Sequence, residues 1–136
     1  MELQSALARL ALFADFEPAE FERLLAIAQR VDFQEGVHVL EQGQVDAGLH
    51  VIVEGEAAVV YEDAELAVLP RGSFFGEISC LLGEPVVAAI VARSPLCCLL
   101  IPASEVERLL LEHPRVTLRM LKIEARRLKS MDEARA

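Results

Sequence analysis

A mainly β protein with flanking helices is the fold class this sequence predicts: a sandwich or closed barrel of the jelly-roll type set between helical ends. Three observations predict it. Short β-branched runs alternate with Gly and Pro through the middle of the chain, a grammar of hairpins rather than of alternating strands and helices. Apolar residues recur at helical spacing before and after that region. The 136 residues, 54% hydrophobic and 26% charged, suffice for one domain with a real core.

The elements follow in order. Leu3, Ala6, Leu7 and Leu10 make a first helical stripe. After a Phe13–Phe16 corner, Pro18 stands where a first helical turn tolerates proline, and Phe21, Leu24, Leu25, Ala28 and Val31 make a second stripe. Residues 1–31 are therefore expected to be helical. Residues 32–102 are the barrel, with strand-like runs at Val37–Leu40, Leu49–Val53, Ala57–Tyr61, Leu66–Leu69, Val86–Ala92 and Leu96–Ile101. Gly36, Gly43, Gly48, Gly55, Pro70, Gly72, Gly83, Pro85 and Pro95 punctuate them. Residues 103–136 return to helix. Ser104 and Glu107 have capping-box spacing, and His113-Pro114 separates two C-terminal helices. The last helix carries two apolar rows: Val116, Met120 and Ile123, and Leu118, Leu121, Ala125 and Leu128. One row suits packing on the barrel, and the other is left free.

Composition excludes several functions. Only 13 Lys and Arg stand against 22 Asp and Glu, a net charge of −9, and no dense basic block appears. That field repels a phosphate backbone, so no nucleic-acid partner is expected. No run approaches the roughly 20 apolar residues that span a bilayer, and nothing at the N-terminus resembles a secretory signal. The expected place is the cytoplasm, with no membrane partner. Cys80, Cys97 and Cys98 are odd in number and lack metal-ligand spacing. They read as buried reduced thiols, and no metal is expected. His38, His50 and His113 fall on separate elements without a recognisable nucleophile or base partner. No catalytic residue is nominated, and the chain is not read as an enzyme.

The informative stretch runs from Gly72 to Ala89. Two glycines and two aromatics lead into a short apolar run that Gly83-Glu84-Pro85 closes. A helical turn opening near Gly76 aims unpaired backbone N–H groups outward, and Glu77 can accept hydrogen bonds from sugar hydroxyls. Here the chain resembles the cyclic nucleotide-binding domain family, the module of the catabolite activator protein, cAMP-dependent kinase regulatory subunits and gated ion channels. The resemblance spans nearly the whole chain. It rests on Leu12-Phe13-Ala14-Asp15-Phe16, Gly36, Gln42-Gly43, Glu54-Gly55-Glu56, Phe75-Gly76-Glu77-Ile78-Ser79, Gly83-Glu84-Pro85, Ala88 and Glu112-His113-Pro114, in that order and spacing.

The resemblance implies an eight-stranded jelly-roll barrel with N-terminal helices, a short cassette helix near 76–82 and two C-terminal helices. It also implies a ligand cassette formed by Phe75, Gly76, Glu77, Ile78, Ser79, Val86, Val87 and Ala88. The family places an Arg on the cyclic phosphate, followed by a small or hydroxyl residue; those positions are Val86 and Val87 in this sequence. Losing a charge-assisted contact and leaving a phosphate oxygen unpaired costs about 3–5 kcal/mol, roughly two to four decades of affinity. The expectation is a non-catalytic regulatory or signalling module with lost or altered cyclic nucleotide binding. It acts through a protein partner, a homodimer or another small-molecule ligand. No cofactor is expected, and cAMP or cGMP is disfavoured by Val86. By resemblance to the family's transcription factors, Leu118, Leu121, Ala125 and Leu128 form a dimer or lid helix. Two alternatives remain: a genuine cAMP or cGMP receptor domain, and the sensor half of a transcription regulator without its DNA-binding domain.

Overall fold

A computed structural model describes residues 2–135. Its elements are helix α1 (Leu3–Ala8), a 3-10 turn (Ala11–Phe13), α2 (Pro18–Ile27), strands β1 (Gln29–Phe33), β2 (His38–Leu40), β3 (Leu49–Glu54), β4 (Ala57–Tyr61), β5 (Ala64–Leu69) and β6 (Phe74–Phe75), then α3 (Glu77–Leu82), β7 (Ala89–Ala92), β8 (Leu96–Ile101), α4 (Ala103–Glu112) and α5 (Pro114–Arg135). The strands form two antiparallel four-stranded sheets, ordered β1-β8-β3-β6 and β2-β7-β4-β5.

Alternation along the strands divides the apolar residues into two cores. From the first sheet, Leu49, Val51, Val53, Phe74, Leu99 and Ile101 face outward and pack beneath the helices, against Leu7, Phe13, Phe21, Val106 and Met120. Ile52, Phe75, Leu96 and Cys98 face inward and meet Leu40, Ala57, Leu69 and Ile90 of the second sheet. One sheet thus serves as the wall between a helical layer and the barrel interior. Phe74 and Phe75, adjacent in sequence, belong one to each core.

Local chemistry explains the helix starts. Pro18 opens α2 at its first turn, and the Glu17 N–H donates to Glu20 Oε1 at 3.0 Å. The structure departs from the sequence expectations in four places. The second helix ends at Ile27, where Ala28 turns extended, and Val31 belongs to β1, paired with Cys98 rather than to the helical stripe. Two strands, β1 and β6, lie outside the six apolar runs; β1 is an edge strand of mostly exposed polar residues, and β6 is only Phe74–Phe75. The run read as Val86–Ala92 is a strand only from Ala89, leaving Val86 and Val87 in the preceding loop. The Ser104/Glu107 capping box does not form: α4 begins at Ala103 behind Pro102, so Ser104 is already inside the first turn and no side chain caps the helix.

Candidate functional site: the cassette and the C-terminal helix

β6 pairs with β3 in the register His50↔Phe75 and Val51↔Phe74. Inside the barrel the Phe75 ring stacks on His50, with centroids 4.7 Å apart and planes 13° off parallel. Burial lowers the His50 pKa to about 4, so the ring is neutral, and its Nδ1–H donates to the Gly48 carbonyl at 3.3 Å. Gly76 then takes φ +85°, and a Cβ there would lie 2.2 Å from the Gly48 oxygen. Only glycine lets the chain turn from β6 into α3 against that carbonyl.

α3 runs for six residues and ends at Gly83, again left-handed. The Ser79 hydroxyl donates to the Glu84 carbonyl and folds the following loop back onto the helix. Two backbone bonds then fix Val86: its N–H donates to Gln44 O at 2.9 Å, and Gly43 N–H donates to Val86 O at 2.7 Å. The Val86 side chain is half-buried against the barrel-interior core.

The cassette residues nominated from the sequence therefore do come together, on β6, α3 and the loop after it. Phe75, Glu77 and Ser79 are buried, and Gly76, Val86 and Ala88 half-buried. Ile78 and Val87 point to solvent, 51% and 70% exposed. No cation stands among them. From Val31 to Ala92 the chain has 11 acidic residues and one basic residue, Arg71, which is exposed in the turn before β6. Arg93, the other nearby arginine, pairs at the surface with Glu65 at 3.0 Å.

Glu77 is the electrostatic centre of the site. Burial pushes its carboxyl up to about 7, neighbouring Glu124 adds to the shift, and Arg127 opposes it. Its Oε2 lies 3.6 Å from Arg127 Nη1 and makes no hydrogen bond. Arg127 was not singled out from the sequence as a site residue. From α5 its Nη2 donates to Ser73 Oγ at 2.7 Å and to Phe74 O at 2.8 Å. Its Nη1 donates to Glu124 at 2.6 Å, and its guanidinium lies 4.5 Å from the Phe74 ring centroid. The available signal was periodicity: Arg127 follows Ile123 by four residues and continues the Val116, Met120, Ile123 row.

That row packs on the barrel, with Val116 and Met120 buried and Ile123 half-buried. Leu118, Leu121, Ala125 and Leu128 face solvent. Asp15 holds the start of α5, accepting from Arg115 Nη1 at 3.0 Å and Arg119 Nη1 at 2.7 Å. Those two arginines keep its carboxyl down at about 2. Among the described residues no group of three or more His, Cys, Asp or Glu gathers where it could hold a metal ion, and no helix is long and apolar enough to cross a membrane.

The site thus combines a two-sheet barrel, a glycine-bounded helix set into its wall and a terminal helix bonded back to the strand that leads into that helix. The model of the cyclic nucleotide-binding domain matches residues 30–113, and the chain belongs to that family. It is 33% identical over 93 residues to a cGMP-dependent protein kinase of Eimeria tenella, covering 68% of this chain and 9% of that protein. It is 32% identical over 108 residues to a cAMP-dependent protein kinase regulatory subunit of Mucor circinelloides f. lusitanicus, covering 76% of this chain and 25% of that one. The catabolite activator protein of Thermus thermophilus superimposes over 90% of this chain and 60% of its own, with a TM-score of 0.74 and 26% identity. The chain thus spans a quarter or less of the length of these two curated relatives.

Proposed function

We propose that this chain is a non-catalytic regulatory domain that has given up ordinary cyclic nucleotide binding and acts through protein contact or an uncharged ligand, in the cytoplasm. The observation that carries this reading is Val86. It stands where the family's phosphate-binding Arg is expected, its side chain turned onto the barrel core, in a barrel whose arginines, Arg30, Arg71 and Arg93, all lie outside the cassette. A cyclic phosphate entering here gives up its water and meets methyl groups and the acidic field of Glu77 and Glu84. The free outer row of α5 supports protein contact, either with a partner or with a second copy.

Isothermal titration with cAMP and cGMP tests the reading. No binding heat is expected into the millimolar range for the parent, and at least a tenfold gain in affinity for Val86→Arg. Micromolar binding by the parent sinks it.

A second reading, a genuine cAMP or cGMP receptor, is favoured by the retained Gly76-Glu77 pair, whose Oε2 has no hydrogen-bond partner. The same titration separates the two. The similarity to the catabolite activator protein supports a third, the sensor half of a transcription regulator. The intact mass of the protein from its source decides that one.

A further inference from the structure

Apart from Leu66 on β5 and Leu111 on α4, which stand by themselves, the most exposed aliphatic residues of this chain fall on two surfaces. One is the outside of the cassette, where Ile78, Leu81 and Leu82 share a face of α3 at i, i+3, i+4 spacing beside Val87 and Val45. Val45 is brought there by the backbone bonds joining Gly43 and Gln44 to Val86. The other is the free row of α5, with Leu118, Leu121 and Leu128. These eight side chains are each between 51% and 70% exposed, and contiguous apolar surface of this kind marks an interaction site.

The two surfaces carry opposite charge. Residues 1–113 hold 19 acidic and 6 basic residues, whereas α5 holds 3 acidic and 7 basic. Exposed Asp46 and Glu84 border the cassette patch. Exposed Lys122 and Arg126 border the α5 row and make no ion pair among the described residues. Two α5 helices laid side by side bring like-charged rows together. Glu124, the acid nearest that row, already accepts from its own Arg127. An α5 row on the cassette of another copy sets basic flanks against acidic ones. Both surfaces adjoin on one molecule, since Arg127 bonds α5 to the strand that leads into α3. A two-fold axis therefore buries both patches in both copies.

We propose that a second copy of this chain is the occupant: the free row of α5 in each copy docks on the outer face of the cassette in the other, closing an isologous dimer. The inference rests on the reading of α5 as an interaction element and specifies what it contacts. Sedimentation equilibrium of the full chain tests it. A dimer is expected at micromolar concentration, weaker in molar salt. Leu81→Glu with Leu82→Glu, and separately Leu121→Glu, each weaken it at least tenfold while circular dichroism stays unchanged. Mixing the two variants yields heterodimer in preference to either homodimer, because one intact α5–cassette contact is restored. If Leu121→Glu disrupts the dimer and the α3 pair does not, α5 pairs with α5, and this inference fails while protein contact through α5 stands. A monomer at every concentration overturns this inference and leaves α5 only a different protein as its partner.

Discussion

Glu77 has a consequence at the scale of one residue. Its carboxyl titrates at about 7 in the folded chain against 4.5 unfolded. Between those values the folded state holds a proton that the unfolded state has released, so stability falls as pH rises through that window. Above pH 7 the buried charge costs about 3 kcal/mol, at 1.36 kcal/mol per pKa unit. Glu77→Gln removes the titration. In urea unfolding it is expected to match the parent near pH 4 and exceed it by about 2–3 kcal/mol at pH 8. A parent whose stability is flat from pH 5 to pH 8 contradicts the assignment. The residues of the Phe75–Ser79 stretch were legible because glycine and glutamate at that spacing have a backbone and chemical reason to be there. Val86 was legible as an aliphatic residue at the position where the family resemblance expects an Arg. Its inward packing was not, because the sequence read it as the first residue of a strand.

At the scale of elements, capping chemistry separates what holds from what does not. Glu20 does two things: it accepts the Glu17 N–H at the start of α2, and it lies 3.2 Å from His113 Nδ1 at the joint between α4 and α5. Ser104 does neither, since α4 has already begun and no side-chain cap bond forms. Glu20→Ala is expected to cost about 1–2 kcal/mol and Ser104→Ala less than about 0.5, read as shifts in urea midpoint at constant slope. Equal costs would mean that the S-x-x-E spacing acts as a cap after all. The α5 helix shows the same division. Its two rows follow from the 3.6-residue period, and the one that packs ends in Arg127 rather than in another aliphatic residue. An arginine fits there because its guanidinium lies over the Phe74 ring while donating to Ser73 and the Phe74 carbonyl.

The whole molecule decides the state of the thiols. Burial pushes Cys97 up to about 11 and Cys98 to about 12. Cys97 faces the helical layer and Cys98 the barrel interior, on one strand held between β1 and β3. Both are therefore inert as nucleophiles until the barrel opens. With a disulfide reagent at pH 8, the native chain is expected to react with at most one equivalent, at the half-buried Cys80, and with three once unfolded. Rapid reaction of all three in the native state would show that the wall shared by the two cores is not closed. That wall also fixes the charge distribution, with an acidic barrel and one basic helix on its surface.

By itself the sequence determined the order of elements, helix then strands then helix, and the family. Both follow from periodicity and from glycines, prolines and acids whose backbone roles are local. The same local logic nominated the Phe75–Ser79 stretch, which the fold does bring onto β6 and α3. Tertiary structure alone decided three things. The polar edge strand β1 exists because β8 supplies its hydrogen bonds, with no hydrophobic pattern of its own to announce it. Phe74 and Phe75 part to opposite cores because β6 pairs with β3 in one register. Arg127 meets Glu77 across fifty residues of chain because the inner row of α5 packs on the barrel, and a contact at that separation has no signature in local spacing.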